Sequence, residues 1–523
     1  DIKGNAIASA TAQVTAQKLT FAAIGNNDPA LPASAIAVGA DGVNVQSGGN
    51  AFWNATDDVS FVYEQVSGDF DKVVQVEEQD ASSNWARAGL MVRETLDTDS
   101  RYQAVHAPDN RKWDGTGSNN AFETNRRRTA GGNTDSSGAG GSPQYPGKTY
   151  MRLLRTGDVI HMFRSADGIT WTQLGRTDFT ENEGSPLPAS LYVGMVYGPE
   201  NGNITPETDR KVWTAKFRGY GDLKPTATRG TQTYSIGLNF GASENSGIMG
   251  RGEIAGVPAV AQANWNNLLG NTSEATGPVS GLAAESNGNR VNAPITVEWA
   301  GSGNTWASTG RGEENNRFIG SDASLMTGYL DTGNSTTTTV TISGVPSQLT
   351  SGTYDIVVYT LGGVAARGGA FRLLDANQNV LSGYQTILAP ANPSAHTQVV
   401  VPDETTPANG TYVLFKGVKA ATVIVEATTA DGKGQSGTPR APINAIQLVS
   451  PSGLVKPAST TVVTTTPPAG LSGGTFSNVV VDEVNKTITA DVPAGSDQGY
   501  LTLSPARVIK SVEIVGGKLV IKY

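Results

Sequence analysis

Between Val59 and Glu94 the residues alternate with a period of two, and that period commits the segment to sheet rather than helix. Val59, Phe61 and Tyr63 form one row and Ser60, Val62 and Glu64 the other. Ser67-Gly68-Asp69 then supplies a reversal, since Gly accepts positive φ and Asp can cap a turn through its side chain. A second strand is expected over Lys72 to Glu78. A third, around Ala88 to Glu94, carries Leu90 and Val92 on one face and Met91 and Arg93 on the other. Short polar reversals between three such strands predict a meander.

The rest of the composition fits this reading. In 523 residues there are 63 Gly and 26 Pro, with abundant Thr, Ser and Asn, a mixture that gives many short strands joined by tight turns. The length predicts two to four domains. The chain has no Cys, which excludes disulfides, thiolate metal sites and thiol nucleophiles. A formal charge of −9 argues against nucleic acid as a partner, because phosphate binding needs a basic face. There is no apolar run of the length a membrane-spanning helix requires. A start at Asp1 without a basic or apolar leader fits a processed secreted protein, which is an expectation rather than an observation.

Several motifs occur in one order: SGDFD, WARAGLMVRE, YMRLLRTGDVIHMFRSADGITWTQLG, LYVGMVYG and KVWTAKFRGYGDL. Together they resemble the bacterial extracellular concanavalin A-like (lectin/glucanase jelly-roll) modules, over about residues 42–223. The resemblance implies a two-sheet β-sandwich and an extracellular or cell-surface location, but no particular activity. A second set, AQANWNNLLG, SLMTGYLDTG and PINAIQLV, is similar to galactose-binding-like β modules of secreted bacterial proteins.

The expected architecture is therefore all-β: tandem jelly-roll β-sandwiches with a small C-terminal β domain. Residues 1–24 form an N-terminal strand, 25–222 the first sandwich, 231–450 the second, 451–470 a Pro/Thr-rich linker and 471–523 the C-terminal unit. In that last unit Gly516-Gly517 suits a two-residue hairpin loop. Near the start Ala6, Ala8, Ala10, Ala12, Val14 and Ala16 make an unbroken small apolar row, as an assembly strand would. Such a strand either completes a sheet in another copy of the chain or pairs within its own.

Catalytic signals are sparse. No E-x-D-x-(x)-E pattern of the glycosidase kind occurs, and Glu77, Glu78 and Asp80 are a poor substitute because adjacent strand residues face opposite ways. His106, His161 and His396 have no metal-ligand spacing. Cofactors are expected to be none, although oxygen ligands are plentiful enough for a structural calcium whose position the sequence does not indicate. Trp171 and Trp213 read as core. Trp113 lies in a polar loop with Asp109, Asn110, Arg111 and Asp114, and an aromatic among polar groups can stack on a sugar ring. A loop anchored by its own Trp is the competing explanation. Arg126, Arg127 and Arg128 form the one dense basic cluster, read as a loop that contacts an acidic glycan or an acidic face of a second copy, or is merely solvated.

These features favour a non-catalytic secreted structural or adhesive protein whose partners are copies of itself and, secondarily, glycans. The alternative is a carbohydrate-binding accessory protein. A polysaccharide-active hydrolase ranks third, for want of a carboxylate pair.

Overall fold

The structure is a computed structural model that describes residues 19–522 apart from 26–27, 109–120, 183, 241–246, 269–275, 302–314, 402–403, 436, 452–461, 465–475, 483–486, 493–501, 505–510 and 516–517. Its architecture is all-β, built of paired antiparallel sheets.

Fourteen strands make the first sandwich: β1 (Thr20–Ile24), β2 (Ser34–Val38), β3 (Gly42–Ser47), β4 (Val59–Ser67), β5 (Asp71–Gln79), β6 (Arg87–Arg93), β7 (Tyr102–Ala107), β8 (Phe122–Arg127), β9 (Asp135–Gly140), β10 (Tyr150–Thr156), β11 (Val159–Ser165), β12 (Thr172–Asp178), β13 (Ser190–Gly198) and β14 (Trp213–Asp222). One sheet has the order β1-β4-β13-β6-β7-β8-β9 and the other β12-β11-β10-β5-β14-β3-β2. Between them lies a core that includes Val62, Leu90, Val92 and Met195 from the first sheet and Val74, Val76, Leu153 and Phe217 from the second. All seven residues of β6 are buried, so it needs a neighbour on both edges and cover on both faces.

That requirement overturns the expected meander. The strands β4 and β6 lie in one sheet with β13 between them, whereas β5 lies in the other sheet. Ser67-Gly68-Asp69 therefore carries the chain across the sandwich instead of closing a hairpin. Of the N-terminal segment, Thr20–Ile24 pairs with β4 of its own chain, Phe21 opposite Val62. The alternating row from Ala6 to Ala16 lies outside the described residues.

The second sandwich has one sheet centred on Tyr234–Asn239, Ala445–Val449 and Tyr354–Tyr359 and another centred on Thr337–Ser343, Thr422–Thr428 and Ala370–Leu374. Ile236, Val340, Phe371 and Leu448 meet in its core. Near the C-terminus Ser511–Val515 pairs with Lys518–Lys522, Val515 opposite Lys518, and the expected Gly516-Gly517 turn lies outside the described residues.

The two sandwiches touch. Ile248 packs with Leu154, Phe163 and Trp171, and the buried Arg152 donates to Asp71 of β5 at 2.7 and 2.8 Å and to Glu253 at 2.5 Å. One guanidinium thus answers a carboxylate from each side.

Candidate functional site

The outer face of the first sheet is unusual because it is buried yet carries charge. Alternation along β6, β7 and β8 sends Arg87, Gly89, Met91 and Arg93, then Tyr102, Ala104 and His106, then Glu123, Asn125 and Arg127 to this face, away from the core residues between them. The register aligns Gly89, His106 and Glu123 in one row and Arg93, Tyr102 and Arg127 in another. Phe52 covers the first row, its ring set edge-on to His106 at 5.3 Å. Gly89 is required here. A Cβ on it would lie 2.1 Å from the Val105 carbonyl oxygen and 2.6 Å from the His106 Cα.

Arg87 is the hub. Its guanidinium sits between the rings of Trp53 and Trp85, 5.7 and 5.8 Å from their centroids, and pairs with Glu200. Both Trp rings are exposed, at 43% and 40%, while Arg87 is 5% exposed, so two aromatic faces flank a sunken cation. Glu200 is held from several sides. Its backbone is left-handed at φ 60, its N–H donates to the Asn50 carbonyl at 2.8 Å, and Asn203 Nδ2 donates to its second carboxylate oxygen at 2.8 Å. A non-glycine residue in that conformation is uncommon and costs about 1–3 kcal/mol, strain that tends to collect at functional sites. Trp213 packs on the core as expected and also donates to Asn201 at 2.8 Å, which fixes the Glu200 loop.

Burial raises the Glu123 carboxyl above its usual range, opposed by the Arg87 charge. The Glu200 carboxyl is raised for the same reason, with Arg87 again opposing. His106 moves the other way, down to about 3, because burial and the Arg87 charge both resist protonation. It is therefore neutral at neutral pH. Its Nε2 donates to Asn125 Oδ1 at 2.5 Å and lies 4.0 Å from Glu123 Oε2. Three buried polar atoms in this cluster have no hydrogen-bond partner among the described residues: Arg87 Nε, His106 Nδ1 and Asn125 Nδ2. Buried donors and acceptors are satisfied as a rule, so three orphans together mark a place where a ligand or water completes the set.

The residues expected from sequence fare unevenly. Asp109, Asn110, Arg111, Trp113 and Asp114 lie outside the described residues, in the connection between β7 and β8, the strands that contribute His106 and Glu123. Arg126 and Arg127 end β8 rather than forming a loop with Arg128. Arg127 is fully buried on Asp57, so it is closed to any acidic partner. Arg126 pairs with Asp135 at 2.6 Å, and Arg128 donates to the Asp178 carbonyl oxygen at 2.6 Å.

Glu77 and Glu78 do not face opposite ways. A bulge sets Lys216 opposite Glu78 and Phe217 opposite Val76, so both glutamates reach one side, where Arg218 takes Glu77 at 2.6 Å and Lys216 takes Glu78 at 2.9 Å. Cross-strand ion pairing accounts for both. A cavity of about 550 Å³ between the sandwiches is lined by Asp69, Asp71 and Asp222 among others. Arg251 pairs with Asp69, Arg152 with Asp71 and Lys72 with Asp222. Among the described residues no group of three or more His, Cys, Asp or Glu is placed to hold a metal ion, and no helix is long and apolar enough to cross a membrane.

Sequence reasoning missed Arg87, Glu123 and Glu200. The available signal was charge at alternate positions of otherwise apolar strands, as in RAGLMVR, where polar residues on a covered face need a reason to be there.

No family model matches the chain, and no curated protein matches it. Solved structures similar to it include a functionally unknown protein from Saccharomyces cerevisiae, at 18% identity and TM-score 0.29, over 39% of this chain and 94% of that one. A GH43 protein, BlXynB from Bacillus licheniformis, aligns at 13% identity and TM-score 0.24, over 36% of this chain and 37% of its own. LamAcat from Zobellia galactanivorans aligns at 6% identity and TM-score 0.22, over 35% of this chain and 77% of its own. Glycoside hydrolase modules are among these neighbours, a finding that runs against the expectation of a non-catalytic structural or adhesive protein without enzymatic activity. Likeness this weak says nothing about which residues act, and that question rests on the geometry above.

Proposed function

We propose that this chain is a secreted, polysaccharide-active protein, a glycoside hydrolase whose first sandwich is of the concanavalin A-like kind and whose site is the Arg87 cluster. The observation that carries the reading is a pair of carboxylates, the buried Glu200 and the half-buried Glu123, both raised in pKa and both opposed by the Arg87 charge, beside two exposed Trp rings. Glycosidases need one carboxyl that keeps its proton and one that does not. Glu123 is the proton donor, since no cation among the described residues bonds to it and partial burial favours its neutral form. Glu200 is the base or nucleophile, oriented by Arg87 and Asn203. Trp53 and Trp85 supply the apolar faces on which sugar rings stack, and neutral His106 presents a bare Nδ1 that can accept a sugar hydroxyl.

One observation favours a second reading at the same place. Both Glu200 oxygens already accept hydrogen bonds, which suits sugar binding without cleavage. Release of reducing ends from a polysaccharide panel separates the two. The hydrolase reading expects turnover of at least one polymer and a fall of about 10²–10⁴ in rate for Glu123→Gln. Retention of a polymer without turnover supports the second reading, and neither retention nor turnover overturns both.

A further inference from the structure

A separate cavity of about 310 Å³ sits in the second sandwich. Its walls come from the segment after strand Tyr354–Tyr359 (Thr360, Gly362, Gly363, Val364), from Arg367, from Ile387 and Ala389 and from the approach to strand Ala445–Val449 (Arg440, Pro442), with Tyr329 and Asp331 beside them. The volume is at the lower end of the range of small-ligand sites, about 300–1,000 Å³.

Two features make this more than a surface dimple. The first is an uncompensated charge. Arg440 pairs with Asp331 at 3.2 Å, whereas no carboxylate among the described residues pairs with Arg367. Two guanidinium groups and one carboxylate leave the lining with a net charge of +1. The backbone of Arg367 is nonetheless held in place: Ala366 N–H donates to the Ala389 carbonyl at 2.8 Å, and Ala389 N–H donates to the Arg367 carbonyl at 2.9 Å. The second is Thr360, fully buried in the wall, whose Oγ1 has no hydrogen-bond partner among the described residues. Its backbone N–H is satisfied by Thr411, so the hydroxyl alone is left over. Arg367 and Thr360 thus line one space together with the apolar side chains of Val364, Ile387 and Pro442.

We propose that this cavity binds a monosaccharide-sized ligand that carries both a carboxylate and hydroxyl groups, a uronate unit of an acidic saccharide. The guanidinium fork of Arg367 takes the carboxylate, a geometry for which Arg is suited. The Thr360 hydroxyl takes a ring hydroxyl, and the apolar wall covers a C–H face. The site is independent of the Arg87 cluster and stands whether or not that cluster cleaves polysaccharide.

The test is calorimetric titration of the full chain with sodium D-glucuronate, D-glucose and sodium acetate. Glucuronate is expected to bind at least ten-fold more tightly than either comparator. Arg367→Ala should lose at least ten-fold of that affinity and Thr360→Val several-fold, with thermal midpoints unchanged. Equal binding of glucose overturns the carboxylate assignment, and equal binding of acetate overturns the sugar assignment. Unchanged affinity in a folded Thr360→Val or Arg367→Ala variant places the ligand elsewhere and overturns the proposal.

Discussion

Two buried charge clusters sit on the same face of the same three strands, and they are built to opposite standards. In one, Asp57 receives Arg93 at 2.8 Å and Arg127 at 2.7 Å, and the remaining donors of both arginines go to the carbonyl oxygens of Thr95, Asp97, Asn54, Ser100 and Gly132. In the other, two sheet positions away, Arg87, His106 and Asn125 each leave a buried atom unpaired. Both clusters are costly to desolvate. Only the first is repaid entirely from within the protein. The completeness of the hydrogen bonding, rather than the presence of charge, separates a scaffold from a site.

The comparison breaks most sharply at Asp57. Its removal strands two buried guanidinium groups, so Asp57→Ala should destabilise the first sandwich by about 3–5 kcal/mol in denaturant unfolding. A loss below about 1 kcal/mol would mean that the satisfied cluster is not structural.

A smaller effect distinguishes the clusters by pH. His106 is held neutral down to about pH 3 in the folded protein, while an unfolded histidine takes its proton near its ordinary value of about 6.5. As pH falls through that window the unfolded state binds a proton that the folded state refuses, so stability is lost toward acid. His161, also held down to about 3, adds a second such contribution. Each supplies a slope of up to about 1.4 kcal/mol per pH unit. His106→Gln should therefore flatten the dependence between about pH 6 and 4.5, measured by urea unfolding at several pH values. An unaltered slope would show that His106 titrates normally.

Much of the fold was legible because strand periodicity is local. The expected strand at Lys72 to Glu78 is Asp71–Gln79, and that around Ala88 to Glu94 is Arg87–Arg93. Partner choice was not legible, because β4 and β6 pair with a strand that begins only at Ser190, and nothing near Val59 announces it. The bulge at Glu77 had no sequence mark either, and one extra residue was enough to reverse the inference about facing. The site was hidden for the same reason as the pairing. Arg87, His106, Glu123 and Glu200 come from four separate stretches, each an ordinary polar position until the register aligns them. Arg127 illustrates the converse: within three consecutive arginines it looked accessible, yet alternation along β8 sends it to the covered face and onto Asp57.

The central claim is that the incomplete cluster, and not its satisfied neighbour, receives the saccharide. Affinity electrophoresis through gels that contain polysaccharide tests it directly, with Glu123→Gln as the background so that cleavage does not intervene. Retardation by at least one polymer is predicted, with most of it lost when Trp53 and Trp85 are both replaced by Ala, because the two exposed rings are its contact surface and their removal leaves the core intact. Retardation unchanged in a folded double variant would contradict the account.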